Sequence, residues 1–198
     1  MGRPREFDRD QAVQIAMQLF WKKGFEKVSL KNLLEEMGIS NSSFYHAFRN
    51  KEDLFEEALN YYFHKIGAMR TAPLQEGKSV KDSLRNYFDR LIQINLDPKL
   101  PGGCLIANST QLVASKNPRI STKTMNKIQA SLDRLEFAFY TVFKEGQDRG
   151  EVRPDLDARL QSRLFVSIVF GLNIIARVFK DRKQMEDVAH AAIQLIIR

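Results

Sequence analysis

The sequence predicts an all-α protein of about nine helices, with a small N-terminal helix-turn-helix domain and a larger helical remainder. Three observations carry this. Apolar residues recur at three- and four-residue spacing along almost the whole chain. Alternating strand-like runs are nearly absent, and Ser, Asp or Asn stands before most of the periodic segments, where a helix needs a cap. The 198 residues are 43% hydrophobic and 28% charged, a balance that suits a folded chain with a substantial core.

The first helix is expected over Arg9 to Lys23, capped by Asp8, with Ala12, Ile15, Ala16, Leu19 and Phe20 on one face and Gly24 as its stop. The second follows Ser29, buries Leu30, Leu33, Leu34 and Met37, and ends at Gly38, where a sharp turn needs a positive φ. Ser40 caps a third helix from Asn41 to about Phe48, and Asn50 with Asp53 caps a fourth from Lys51 to about Met69. A break is expected from Thr71 to Lys78, then a fifth helix from Ser79 to about Asp97 and a sixth from Cys104 to Ala114. Asn117-Pro118 is read as the start of a long seventh helix with Pro118 in its first position, closing at Gly150. An eighth runs from about Leu156 to Phe179, and a ninth, capped by Asp181 and Gln184, to Arg198. The domain boundary is placed near residue 50, giving 1–50 and 51–198, with the fourth helix shared mechanically by both parts.

Composition narrows the function classes. The formal net charge is +7, which favours polyanions, yet residues 1–50 hold eight basic and six acidic residues, so binding must come from where charges sit. The single Cys104 excludes an intrachain disulfide, and His46, His64 and His190 show no metal-ligand spacing, so neither a metal nor a cofactor is expected. The N-terminus lacks an apolar signal core and no apolar run is long enough to span a bilayer, which points to a cytoplasmic protein without a membrane partner.

The stretch from Ser29 to Lys51, SLKNLLEEMGISNSSFYHAFRNK, carries most of the functional signal. Two short helices joined by a Gly-Ile-Ser turn, the second opening on small polar residues, have the shape that puts one helix end into the DNA major groove. Ser29 offers a hydroxyl and backbone N–H groups to a phosphate, and Lys31 reaches a phosphate or a guanine edge. Asn41, Ser42 and Ser43 form a first turn short enough for close approach to the duplex, and Asn41 suits adenine N6 and N7. His46 is placed for a phosphate or base, and Lys51 for a phosphate at a helix N-terminus. Phe44 and Phe48 lock the helix into the core. Arg3 and Arg5 form a basic arm suited to a flanking minor groove. Two copies are needed to reach useful specificity, so a pseudo-palindromic operator is expected, with recognition helices about 34–36 Å apart or a multiple of that.

Residues 8–54, through the start at Ser29, Gly38-Ile39-Ser40 and SSFYHAFRNKEDL with its Tyr45, Phe48, Lys51 and Leu54, resemble the DNA-binding domain of the TetR family of bacterial transcriptional repressors. The resemblance implies that Tyr45 lies against the sugar-phosphate backbone. Many family members carry a histidine one position after His46, where this chain has Ala47, so any contact made there is lost or passes to His46. The resemblance also implies a pocket for a small-molecule inducer among the fifth to eighth helices. Phe137, Tyr140, Phe143, Tyr87 and Phe88 supply aromatic surface, and Asn108, Gln111 and Asn173 supply polar handles. Cys104 follows Pro101-Gly102-Gly103 at a helix start, a setting that favours a reactive thiolate, and GGCL resembles a subgroup of TetR-like regulators, some of which sense electrophiles or oxidants; a small buried hydrophobe is the other reading of this residue.

The last two helices are apolar around more of their girth than a surface helix requires. They are either central core helices or a pair that meets its copy in a homodimer, through Leu164, Ile168, Leu172, Ile175, Val188, Ala192, Leu195 and Ile196. The sequence thus points to a repressor released from double-stranded operator DNA by a ligand or electrophile. A structural DNA-binding protein without sequence preference, and an enzyme using Cys104 as nucleophile, are the alternatives; the second lacks a recognisable base and orienting acid.

Overall fold

The computed structural model describes residues 8–197. The expected arm residues Arg3 and Arg5 lie outside them. Among the described residues nine helices make up most of the fold, and there is no strand, only an isolated antiparallel bridge between Val152 and Ile197.

The N-terminal elements form where the local signals place them. Helix α1 spans Arg9–Lys23; the Asp8 carboxylate accepts from the N–H groups of Asp10 and Gln11. Helix α2, Leu30–Met37, opens with a reciprocal box in which Ser29 caps Asn32 and the Asn32 side chain returns to Ser29. Gly38 then takes φ +66°, the left-handed conformation that lets the chain reverse sharply into α3, Asn41–Ala47. Helix α4 starts at Lys51 under an Asn50 cap. It continues past the expected end: Lys51–Tyr62 passes through a π-turn at Phe63–Gly67 into Ala68–Thr71. The expected break narrows to Gly77–Ser79, because Pro73 starts a further single turn, Pro73–Glu76, with its ring at a position that needs no N–H donor.

The remaining helices are α5 (Val80–Leu96), α6 (Leu105–Ala114), α7 (Thr122–Asp148), α8 (Ala158–Val178) and α9 (Arg182–Gln194). Pro118 does not open α7. The Asn117 side chain instead accepts from the Arg119 N–H (2.9 Å) and donates to Glu26 (2.6 Å), holding a turn, and Ser121 caps the helix by accepting from Thr124. Helix α9 stops at Gln194, before the bridge that ties Ile197 to Val152.

Two apolar cores result. One gathers Phe20, Trp21, Phe25, Leu33, Phe44, Phe48 and Phe55 with Ile94, Ile106 and Ile128 from the larger part. The other gathers Tyr87, Phe88, Phe139, Phe143, Phe165, Leu172 and Met185 from α5 and α7–α9. Helix α4 contributes to the first core from Leu54 through Ile66. Polar ties also join head and body. Glu52 accepts from the Ser121 N–H (2.7 Å) and the Thr124 hydroxyl (2.8 Å), Glu56 pairs with Lys123 and Lys127, and Asn108 donates to the Trp21 carbonyl (3.3 Å).

Helix α8 corrects two expectations. By length and composition it is apolar enough to cross a bilayer, which no segment was expected to be. One face, with Phe165, Val169, Leu172 and Ala176, is buried in the second core; the opposite stripe, with Leu160, Leu164, Ile174 and Val178, is exposed. The other correction concerns the interface residues. Leu172 on α8, Ala192 on α9 and Ile196 just after it are buried within their own subunit, because they point to the second core rather than outward. Leu164, Val188 and Leu195 are exposed, and Ile168 and Ile175 are half-buried beside them.

Candidate functional site

The helix-turn-helix presents one polar end. Phe44 and Phe48 are fully buried with their rings 5.5 Å apart, so α3 is anchored on its inner side. Its opposite side exposes Asn41, Ser42, Tyr45 and His46; Tyr45 is 54% exposed, its ring edge-on to Phe44. The hydroxyls of Ser42 and Ser43 each lie 2.9 Å from that of Ser40, which also accepts from the Ser43 N–H. Ser43 is half-buried, so it serves the helix start more than it faces outward. Ser29 is exposed at the N-terminus of α2, and Lys31 projects from the same turn, with Glu35 3.8 Å away.

Lys51 stands at the N-terminus of α4, where the sequence places it. It is half-buried, with Nζ 4.1 Å from the centroid of the Phe25 ring. Burial, then the nearby Arg119 charge, lower its pKa from the ordinary lysine value, against an opposing pull from Glu26. The ring holds the ammonium at the helix start rather than letting it range through solvent.

Beyond the head, a cavity of about 1060 Å³ lies among α4, α5, α7 and α8. Cys104, Phe137 and Asn173 line it, as does Tyr87. Asn108 and Tyr140 do not. Asn108 turns to the head and binds the Trp21 carbonyl, while Tyr140 lies under Arg159, whose guanidinium carbon is 4.9 Å from the ring centroid. Phe88 and Phe143 belong to the second core, and Gln111 is exposed elsewhere. Cys104 is half-buried at the N-cap of α6 and accepts from the Tyr62 hydroxyl at 3.3 Å. Burial raises the Tyr62 and Tyr87 hydroxyl pKa values, and the Arg70 charge acts in the opposite direction on both.

Sequence reasoning missed Arg70. It is 6% exposed and lines the cavity, donating to the Gly103 carbonyl (2.7 Å) and the Asn173 side-chain oxygen (3.2 Å). Asn95 completes the cluster by donating to the same Asn173 oxygen (3.2 Å) and accepting from the Gly103 N–H (2.7 Å). A larger residue would be strained at Gly103: its φ is +70°, and a Cβ would meet the Arg177 Cδ at 2.8 Å and the Asn173 carbonyl oxygen at 3.1 Å. The signal was present, since Tyr62, Ile66 and Arg70 recur at four-residue spacing on a buried stripe. It was lost by ending the helix at Met69.

Comparison with known proteins agrees with this architecture. Residues 13–58 match the family described as "Bacterial regulatory proteins, tetR family", and residues 81–192 match "Tetracyclin repressor-like, C-terminal domain". The HTH-type transcriptional repressor ComR of Escherichia coli (strain K12) is 31% identical over 195 residues, covering 98% of this chain and 91% of ComR. The chain belongs to the TetR family.

Other similar proteins extend over the full length. YezE of Bacillus subtilis (strain 168), an uncharacterized HTH-type transcriptional regulator, is 29% identical and covers 100% of this chain and 99% of its own. A cysteine-substituted mutant of the TetR family transcriptional regulator CifR, solved with 26-bp double-strand operator DNA, superposes with a TM-score of 0.85 at 28% identity, covering 98% of this chain and 100% of that one. The protein is therefore a TetR-type transcriptional regulator with an N-terminal helix-turn-helix and a helical C-terminal domain.

Proposed function

We propose that this TetR-family protein is a cytoplasmic repressor, not an enzyme, that binds a pseudo-palindromic double-stranded DNA operator as a homodimer and leaves it when a small molecule fills the cavity. The observation that carries the reading is the exposed end of α3: Asn41, Ser42, Tyr45 and His46 face outward on a helix whose other side is pinned by Phe44 and Phe48. Asn41 reads a base edge, Ser42 and the backbone of Ser43 allow close approach, and Tyr45 lies along the sugar-phosphate strand. Ser29, Lys31, His46 and the ring-held Lys51 take phosphates. Residues 1–50 form the reading head and 51–198 the dimerising, effector-binding part. The exposed stripe of Leu160, Leu164, Ile174 and Val178 on α8, with Val188 of α9 and Leu195 just after it, meets its two-fold copy in a four-helix contact.

Helix α4 links the two activities. It carries Lys51 at the head and Arg70 in the cavity, roughly 28 Å apart at 1.5 Å per residue. A ligand that fits the cavity better when α4 is displaced lowers operator affinity by the same factor that operator lowers ligand affinity. Selection from a random duplex library, followed by footprinting with the full chain, tests the proposal. The expected result is one protected pseudo-palindrome preferred over random DNA by about 10³ or more. Equal binding to all duplexes would instead favour a structural DNA-binding protein.

A second route to release is favoured by the place of Cys104 in the cavity wall. On that reading an electrophile or oxidant acts at its sulfur. A Cys104→Ser protein that still leaves its operator on quinone or hypochlorite exposure would remove it.

A further inference from the structure

We propose that the effector taken by this cavity is an amphipathic organic anion, whose carboxylate or sulfonate head is held by Arg70. This rests on the reading of the cavity as the effector site and adds the chemical class of its occupant.

Arg70 is a buried cation that no carboxylate answers among the described residues. An arginine side chain stays cationic in proteins, and a buried charge is costly unless it is paired. Arg70 is 6% exposed, yet its two hydrogen-bond acceptors, the Gly103 carbonyl and the Asn173 amide oxygen, are both neutral. Among the described residues it makes no ion pair, and its buried Nε has no hydrogen-bond partner. A guanidinium presents five donors in a planar fork that matches a carboxylate, so donors remain for a head group inside the cavity.

The rest of the wall suits the same ligand. Lys78, Arg134 and Arg149 also line it, while Glu145 is its one acidic residue among those described. Arg149 is paired with Glu145 (3.8 Å) and with Glu151 (2.6 Å) and adds no net charge, so Arg70, Lys78 and Arg134 leave the wall formally positive. Phe63, Leu135, Phe137 and Phe170 supply apolar wall for the body of the molecule, and the Arg134 guanidinium carbon lies 4.7 Å from the centroid of the Phe63 ring. The π-turn at Phe63–Gly67 sits between Tyr62 and Arg70 and sets how both enter the wall, a use to which such turns are often put. A purely structural Arg70, bracing α4 against Gly103 and α8, would need no anion, and that is the alternative the experiment must separate.

The probes are 8-anilino-1-naphthalenesulfonate and its uncharged analogue N-phenyl-1-naphthylamine, titrated by fluorescence into the full chain, its Arg70→Met variant and its Arg70→Lys variant. The wild type is expected to bind the sulfonate at one per chain and about tenfold or more tighter than the neutral dye. In R70M the ratio of the two affinities falls to about one, with helix content by circular dichroism reporting the fold; in R70K part of the preference returns. Equal affinity for both dyes in the wild type, or an undiminished sulfonate preference in R70M, would overturn the anion assignment and leave the effector cavity standing. Failure of both dyes to bind the wild type would overturn the cavity reading and this proposal together. If R70M does not fold, the wild-type dye comparison and R70K still decide.

Discussion

Replacing Ile174 by Arg should split the dimer without unfolding the subunit. Ile174 is 60% exposed and lies on the α8 stripe with Leu160, Leu164 and Val178, opposite the face buried in the second core. Full burial of such a side chain is worth about 1.5–3 kcal/mol, so the exposed three-fifths leaves about 1–2 kcal/mol to be gained on association. Two-fold symmetry counts the residue twice, so removing it costs roughly 2–4 kcal/mol, and the two guanidiniums placed in the contact add repulsion. The dimer dissociation constant should therefore rise by at least about 30- to 700-fold, at 1.4 kcal/mol per tenfold. Sedimentation equilibrium measures the constant, and circular dichroism checks that the helices persist. The same variant should lose operator binding at concentrations where it is monomeric. A dimer constant within about threefold of wild type, with helix content intact, would refute the placement of the interface on this stripe.

Three further outcomes follow from the geometry. Phe44→Ala, at a fully buried site on the inner side of α3, should cost about 3–5 kcal/mol in chemical denaturation and abolish operator binding, because the recognition helix loses its anchor. Lys31→Ala, at an exposed position on the first turn of α2, should leave stability unchanged but lower the slope of log affinity against log salt by about 0.9 per half-site in a filter-binding series. Glu52 and Glu56, which tie α4 to α7, are each raised by burial but held below the ordinary glutamate pKa by their bonds, to Ser121 and Thr124 and to Lys127 and Lys123 respectively. Their stabilisation is present above the unfolded value and is lost as pH falls through the lower folded value, so the melting temperature should drop on acidification below about pH 4.5, and a Glu52→Gln, Glu56→Gln double variant should show a shallower drop.

The reading head was legible because its determinants are local. Ser29, Ser40 and Asn50 each cap a helix within three residues of themselves, and Gly38 supplies the positive φ of the turn. The chemistry of α3 likewise follows from adjacent residues. Pro118 misled because a proline can open a helix or end a turn equally well. The choice was made by Asn117 reaching Glu26, 91 positions away, and no sequence window contains that bond.

The sequence by itself determined the all-helical class, most helix starts and the polar end of α3, since hydrogen-bonded caps and 3.6-residue periodicity act over a few residues. Only the tertiary structure decided which apolar residues of α8 face the core, because both sides of that helix carry them and periodicity cannot choose between the two. It also decided the cavity. Arg70 meets Gly103 and Asn173, 33 and 103 positions away, only when α4, the loop before α6 and α8 have packed together. The cost of leaving its charge without a partner exists only once that packing has removed water from around it.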